Sequence, residues 1–94
     1  MPNLQTRRYL VSGRVQGVGF RWFVEREAAL IGITGWVRNC ESGDVEVMAT
    51  GTREQHSSLR GRLQQGPRAS RVDSVAESPA PLLAEKSFRI EGVW

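Results

Sequence analysis

Ninety-four residues suffice for one domain with one modest core, so a single domain over residues 1–94 is expected. Hydrophobic residues at 39% and charged residues at 24% exclude a disordered chain, and a net charge of +3 without a dense basic run draws small anions without implying nucleic acid. Cys40 stands alone, which excludes an intramolecular disulfide and a cysteine-built zinc site, and no stretch approaches the roughly 20 apolar residues of a membrane span.

Thr6 to Gly13 mixes Tyr9, Leu10 and Val11 with polar neighbours and predicts a first strand. The same apolar run, following Arg7 and Arg8, is too short for the core of an export signal. Phe20, Phe23, Val24, Ala28 and Ile31 then recur at helical spacing around Glu25, Arg26 and Glu27, and Gly32 stands where a helix C-terminal glycine belongs. Thr34 to Cys40 and Val45 to Thr50 read as two strands, joined into a hairpin by Glu41-Ser42-Gly43-Asp44. A second helix is expected from Thr52, which forms a capping box with Gln55; its apolar face holds Leu59 and Leu63, and Gly66-Pro67 ends it. Arg71 to Ser78 offers another strand through Val72 and Val75, Pro79 and Pro81 break the chain, and Phe88 to Ile90 closes it. The order β-α-β-β-α-β plus a short terminal strand predicts a ferredoxin-like α+β fold, an antiparallel sheet with both helices on one face.

The segment between the first strand and the first helix carries the chemistry. In Gly13-Arg14-Val15-Gln16-Gly17-Val18-Gly19-Phe20-Arg21, glycines 17 and 19 permit left-handed backbone and keep side chains away from a ligand. Successive N–H groups in such a turn can converge on an anion, and the following helix adds its own unpaired amides. Val15, Gln16, Gly17, Val18, Gly19, Phe20 and Arg21 are the expected phosphate-binding residues. A tight strand-to-helix connection would explain the glycines equally well. Arg21 tips the balance, because a cation in a helix's first turn opposes the dipole unless an anion lies between. A P-loop would need Gly-Lys and then Ser or Thr to hold magnesium, and a dinucleotide fingerprint would need different glycine spacing. No such hydroxyl follows this loop, so metal-independent action without a cofactor is expected.

Gly35-Trp36-Val37-Arg38-Asn39 ends the second strand, with Gly43, Val45 and Gly51 following. Alone, Asn39 beside a turn reads as a turn former. Together with Val11-Ser12-Gly13-Arg14-Val15-Gln16-Gly17-Val18-Gly19-Phe20-Arg21, this second segment resembles the paired signatures of the acylphosphatase family, over nearly the whole chain. The resemblance implies hydrolysis of acyl phosphates to a carboxylate and inorganic phosphate, with Arg21 binding the phosphoryl group and Asn39 orienting the attacking water. It also implies a ferredoxin-like fold, an acyl phosphate as the small-molecule partner and phosphate as product and inhibitor. A cytoplasmic monomer that engages neither nucleic acid nor membrane is expected.

Cys40 departs from the polar residue more usual beside that asparagine; it reads as a small, partly buried filler, or else as a point of sensitivity to oxidation. His56 falls in the second helix and is expected to be structural or solvent-facing. Trp22 and Trp36 are expected in the core or at the site's rim, and Trp94 on a sheet edge. Two other functions fit parts of the pattern. A non-catalytic module that binds phosphate or acyl phosphate, like the similar domain of hydrogenase-maturation proteins, would need the same loop. An RNA-binding domain of like topology would need stacking aromatics that Val45-Glu46-Val47-Met48-Ala49 lacks.

Overall fold

The computed structural model describes residues 3–92, so Trp94 lies outside the described residues. The elements run β1 (Gln5–Arg14), α1 (Phe20–Ile31), β2 (Thr34–Asn39), β3 (Val45–Gly51), α2 (Arg53–Gln65), β4 (Arg71–Ala80) and β5 (Phe88–Ile90). Among the described residues, five strands lie in the order β4-β1-β3-β2-β5. β1 pairs antiparallel with both β3 and β4, and β2 with β3, which is the expected ferredoxin-like frame. β5 joins β2 in parallel, so the sheet as a whole is mixed.

Strand alternation decides which face is covered. Tyr9 and Val11, Val37, and Val45, Val47 and Ala49 point to one side and meet Phe20, Val24 and Ala28 of α1 and Leu59 and Leu63 of α2. Each helix shows its apolar stripe at the spacing seen in the sequence, and both stripes close over the same sheet face. On the opposite face Arg8 and Arg38 grip the carboxylate of Glu46, the latter at 2.6 Å. Burial alone would raise the Glu46 pKa, but the two guanidinium hydrogen bonds outweigh it and hold the group below its ordinary value.

The helix ends follow their residues. Gly32 caps α1 in the left-handed conformation, and Thr52 and Gln55 form the reciprocal capping box that opens α2. One boundary moves. β4 continues through Pro79 to Ala80, where the sequence placed a break. A proline lacks only the N–H, and β4 is an edge strand whose outer side needs no donor. Gly35 is fixed by close approach: at φ 141°, a Cβ there would lie 1.9 Å from the Met48 carbonyl oxygen. Among the described residues, no helix is long and apolar enough to cross a membrane.

His56 is locked into the core, which selects the structural over the solvent-facing expectation. Its Nε2–H donates to the Gln5 carbonyl at 2.8 Å, which leaves Nδ1 to accept from the Tyr9 hydroxyl at 2.6 Å. A carbonyl can only accept, so of the two neutral tautomers this arrangement selects the one with the proton on Nε2. Burial lowers the His56 pKa below its ordinary value, while nearby Glu77 is held ionised at about 2, chiefly by its hydrogen bond from Arg60. The unfolded chain therefore binds one more proton than the folded chain once the pH falls below about 6.5. Stability should be complete above that pH and decline as pH falls toward the folded-state pKa, with a slope of at most about 1.4 kcal/mol per pH unit. Urea unfolding of the wild type and of His56→Val at pH 8 and pH 5.5 checks this. A slope that survives the substitution would assign the effect to another group.

Candidate functional site

The segment Val15–Gly19 runs from the end of β1 to the start of α1, with Gly17 and Gly19 in left-handed conformations at φ 74° and 78°. A Cβ at either position would meet nothing within 4 Å, so these glycines serve the turn and leave open space before the backbone.

Gly19 is the N-cap of α1 and offers no side chain to cap it. The first intrahelical bond runs from the Phe23 amide to the Gly19 carbonyl at 3.0 Å. The amides of Phe20, Arg21 and Trp22 thus lie ahead of the helical ladder, in the turn where helices hold their unsatisfied donors. α2 meets the same requirement internally, with its capping box and Glu54 in the first turn. α1 has no acidic residue in its first turn and carries Arg21 there. A bare helix N-terminus beside a guanidinium is a local concentration of positive potential.

Asn39 reaches the same place from the last position of β2. A cavity of about 260 Å³ is lined by Val15, Gly17, Gly19, Phe20, Arg21, Trp22 and Asn39. The two residues singled out for binding and for positioning water, distant in sequence, thus face one cavity. Many of the arginines are matched with carboxylates, Arg7 and Arg60 with Glu77, Arg26 and Arg62 with Glu27. Among the described residues, Arg21 is in no ion pair.

Two expected loop residues contribute differently. The Gln16 side chain turns away from the cavity and donates to the carbonyls of Cys40 at 2.8 Å and Asp44 at 2.9 Å. It fastens the loop to the turn that follows Asn39, a turn closed by the Cys40 amide on the Asp44 carbonyl at 2.8 Å. Val18 packs against the core. What either can offer an anion is its backbone N–H. Trp22 was not among the expected binding residues, yet it lines the cavity and is 71% exposed. Trp36 lies outside the lining, with the Arg38 guanidinium over its ring at 5.4 Å.

Cys40 lines a neighbouring depression with Arg38, Asn39, Glu41, Glu91 and Gly92. Burial, reinforced by Glu46, pushes its thiol pKa up, so the unreactive protonated form dominates at neutral pH. The filler reading fits that environment better than a redox role.

A profile of the Acylphosphatase family matches residues 7–90. A relative from Koribacter versatilis (strain Ellin345), described as Acylphosphatase, is 60% identical over 91 residues, which span 96% of this chain and 83% of its own. The structure of an acylphosphatase from Coxiella burnetii superposes with a TM-score of 0.90 at 36% identity, covering 95% of this chain and 94% of that one. Full-length HypF, in its phosphate- and nucleotide-bound form, is similar over 98% of this chain and 12% of its own, with a TM-score of 0.91 at 29% identity.

Proposed function

The chain belongs to the acylphosphatase family, whose reaction is the hydrolysis of acyl phosphates, and from that membership we propose how its own residues carry the reaction. Arg21 and the amides of the glycine loop and the first turn of α1 bind the phosphoryl oxygens. Asn39 holds a water in line behind the phosphorus. The observation that carries this reading is the shared cavity that Arg21, Asn39 and the uncapped start of α1 line together.

The chemistry explains why so few side chains suffice. An acyl phosphate is a mixed anhydride whose leaving group is a carboxylate, with a conjugate-acid pKa of about 4. It departs as the anion, so no general acid is needed. The barrier lies in bringing water against a negatively charged phosphoryl group, and positioning with charge stabilisation lowers it. The Asn39 amide is not basic enough to take the water's proton. Its side-chain oxygen can accept a hydrogen bond from the water and aim it. The proton passes to a phosphoryl oxygen of the substrate as the P–O bond to water forms and the P–O bond to the carboxylate breaks. His56 takes no part, being committed to Tyr9 and Gln5.

Neither Arg21 nor Asn39 needs a metal to play these roles, so EDTA should leave turnover unaffected. The lone Cys40, with no disulfide to form within the chain, fits a reducing cytoplasm.

The test is benzoyl phosphate hydrolysis by the wild type in excess EDTA, with inorganic phosphate as a competing ligand. Rapid, phosphate-inhibited turnover supports the reading. A folded protein that binds phosphate and does not turn over would make the chain a non-catalytic phosphate-binding module, and activity lost to EDTA and restored by a metal would overturn the metal-independent mechanism.

A further inference from the structure

We propose that Trp22 is a specificity-determining residue, a platform for the acyl group that favours acyl phosphates bearing an aromatic ring or an extended apolar chain. The proposal rests on the phosphoryl group being held by the loop and Arg21, as above. The lining of the cavity leads to it by elimination. Gly17 and Gly19 have no side chains, and the space before them is open. Val15 and Phe20 are 1% and 2% exposed, so their apolar surface is already spent on the core. Arg21 and Asn39 present polar groups. Among the described lining residues, Trp22 alone keeps a large apolar face in water, at 71% exposure.

Among the described residues, no ring or cation contact engages that face. Trp22 occupies the third position of α1, in a first turn where an acidic side chain would serve the helix better. With the phosphoryl group against the loop amides, the acyl group must leave through the cavity mouth, past the rim that Trp22 forms next to Arg21. An indole there can stack on a planar acyl group and shield it from water. An acetyl group is too small to cover it. Preference should therefore follow acyl size and planarity, with binding of the phosphoryl group itself common to all substrates.

The experiment compares the wild type, Trp22→Ala and Trp22→Phe by two readouts. The first is kcat/KM for benzoyl phosphate and for acetyl phosphate. The second is calorimetric binding of phenylphosphonate and methylphosphonate, which cannot be hydrolysed. Trp22→Ala should cut the benzoyl-to-acetyl ratio about tenfold, mainly through KM, and cut the phenyl-to-methyl affinity ratio by a similar factor. Trp22→Phe should retain most of both. Ratios that stay constant across the three proteins, or a uniform loss for both members of each pair, overturn the proposal. The phosphonate arm reads the platform even if hydrolysis itself were absent, so failure of the proposed reaction and failure of the platform are separately visible.

Discussion

Arg21→Ala is expected to lower kcat/KM for benzoyl phosphate by roughly 10³, through a higher KM and a lower kcat together, and to raise the inhibition constant of inorganic phosphate. The double effect follows from when the charge acts. A phosphoryl group is anionic in the bound substrate and remains so in the transition state, so removing the guanidinium weakens both. Among the described residues, no other cation lines the cavity to replace it. The helix amides remain, and they account for the residual binding. Arg21→Lys should recover part of the affinity and less of the rate, because an ammonium supplies charge without the two-pronged geometry. Stability should change little or rise slightly, since Arg21 opposes the dipole of α1 and, among the described residues, is in no ion pair. Steady-state kinetics, phosphate inhibition and thermal unfolding of the three proteins check every part. A variant in which only KM changed would mean that Arg21 binds substrate and transition state equally, and its assignment to transition-state stabilisation would fall.

Asn39→Ala should behave differently, losing kcat by roughly 10² with the phosphate inhibition constant nearly preserved. Asn39 sits at the end of β2, opposite Val45 in the hairpin, and lines the cavity from there. It is assigned to the water and not to the anion, so its loss should be felt when the water attacks. Asn39→Asp separates aim from charge. The carboxylate could still accept the water's hydrogen bond, but it would repel the phosphoryl group and raise KM as well. Near-normal kcat in Asn39→Ala would assign this residue to the turn alone.

The elements that could be read from the chain are those whose signals are local. Phe20, Val24 and Ala28 recur at helical spacing because they bury one face of α1, and Thr52 and Gln55 cap α2 with partners three residues apart. Arg21 and the two glycines were legible for the same reason, since a loop and the helix it opens are contiguous. Features that depend on the sheet were not. Pro79 looked like an end to β4 because its position at the sheet edge is a property of strand order. The parallel pairing of Phe88–Ile90 with β2 likewise depends on which edge the last strand reaches. The side chain of Gln16 finds its acceptors 24 and 28 residues away, and His56 meets Tyr9 across 47. The exposure of Trp22 has no local signature either; at helical spacing a tryptophan looks the same whether it faces the core or a cavity mouth.

The fastening of Gln16 to the turn after Asn39 bears on the entropy of substrate capture. A glycine-containing loop, left to itself, would sample many conformations, and ordering it costs about 1–2 kcal/mol per residue. If that ordering accompanied each binding event, it would be subtracted from affinity every time a substrate arrived. Here both amide hydrogens of Gln16 are already given to the hairpin, at 2.8 and 2.9 Å, so the loss is settled once, when the chain folds. With the roles proposed for them, the loop and Asn39 would meet the substrate with their relative placement already part of the tertiary structure, leaving more of its binding energy for the step that breaks the anhydride.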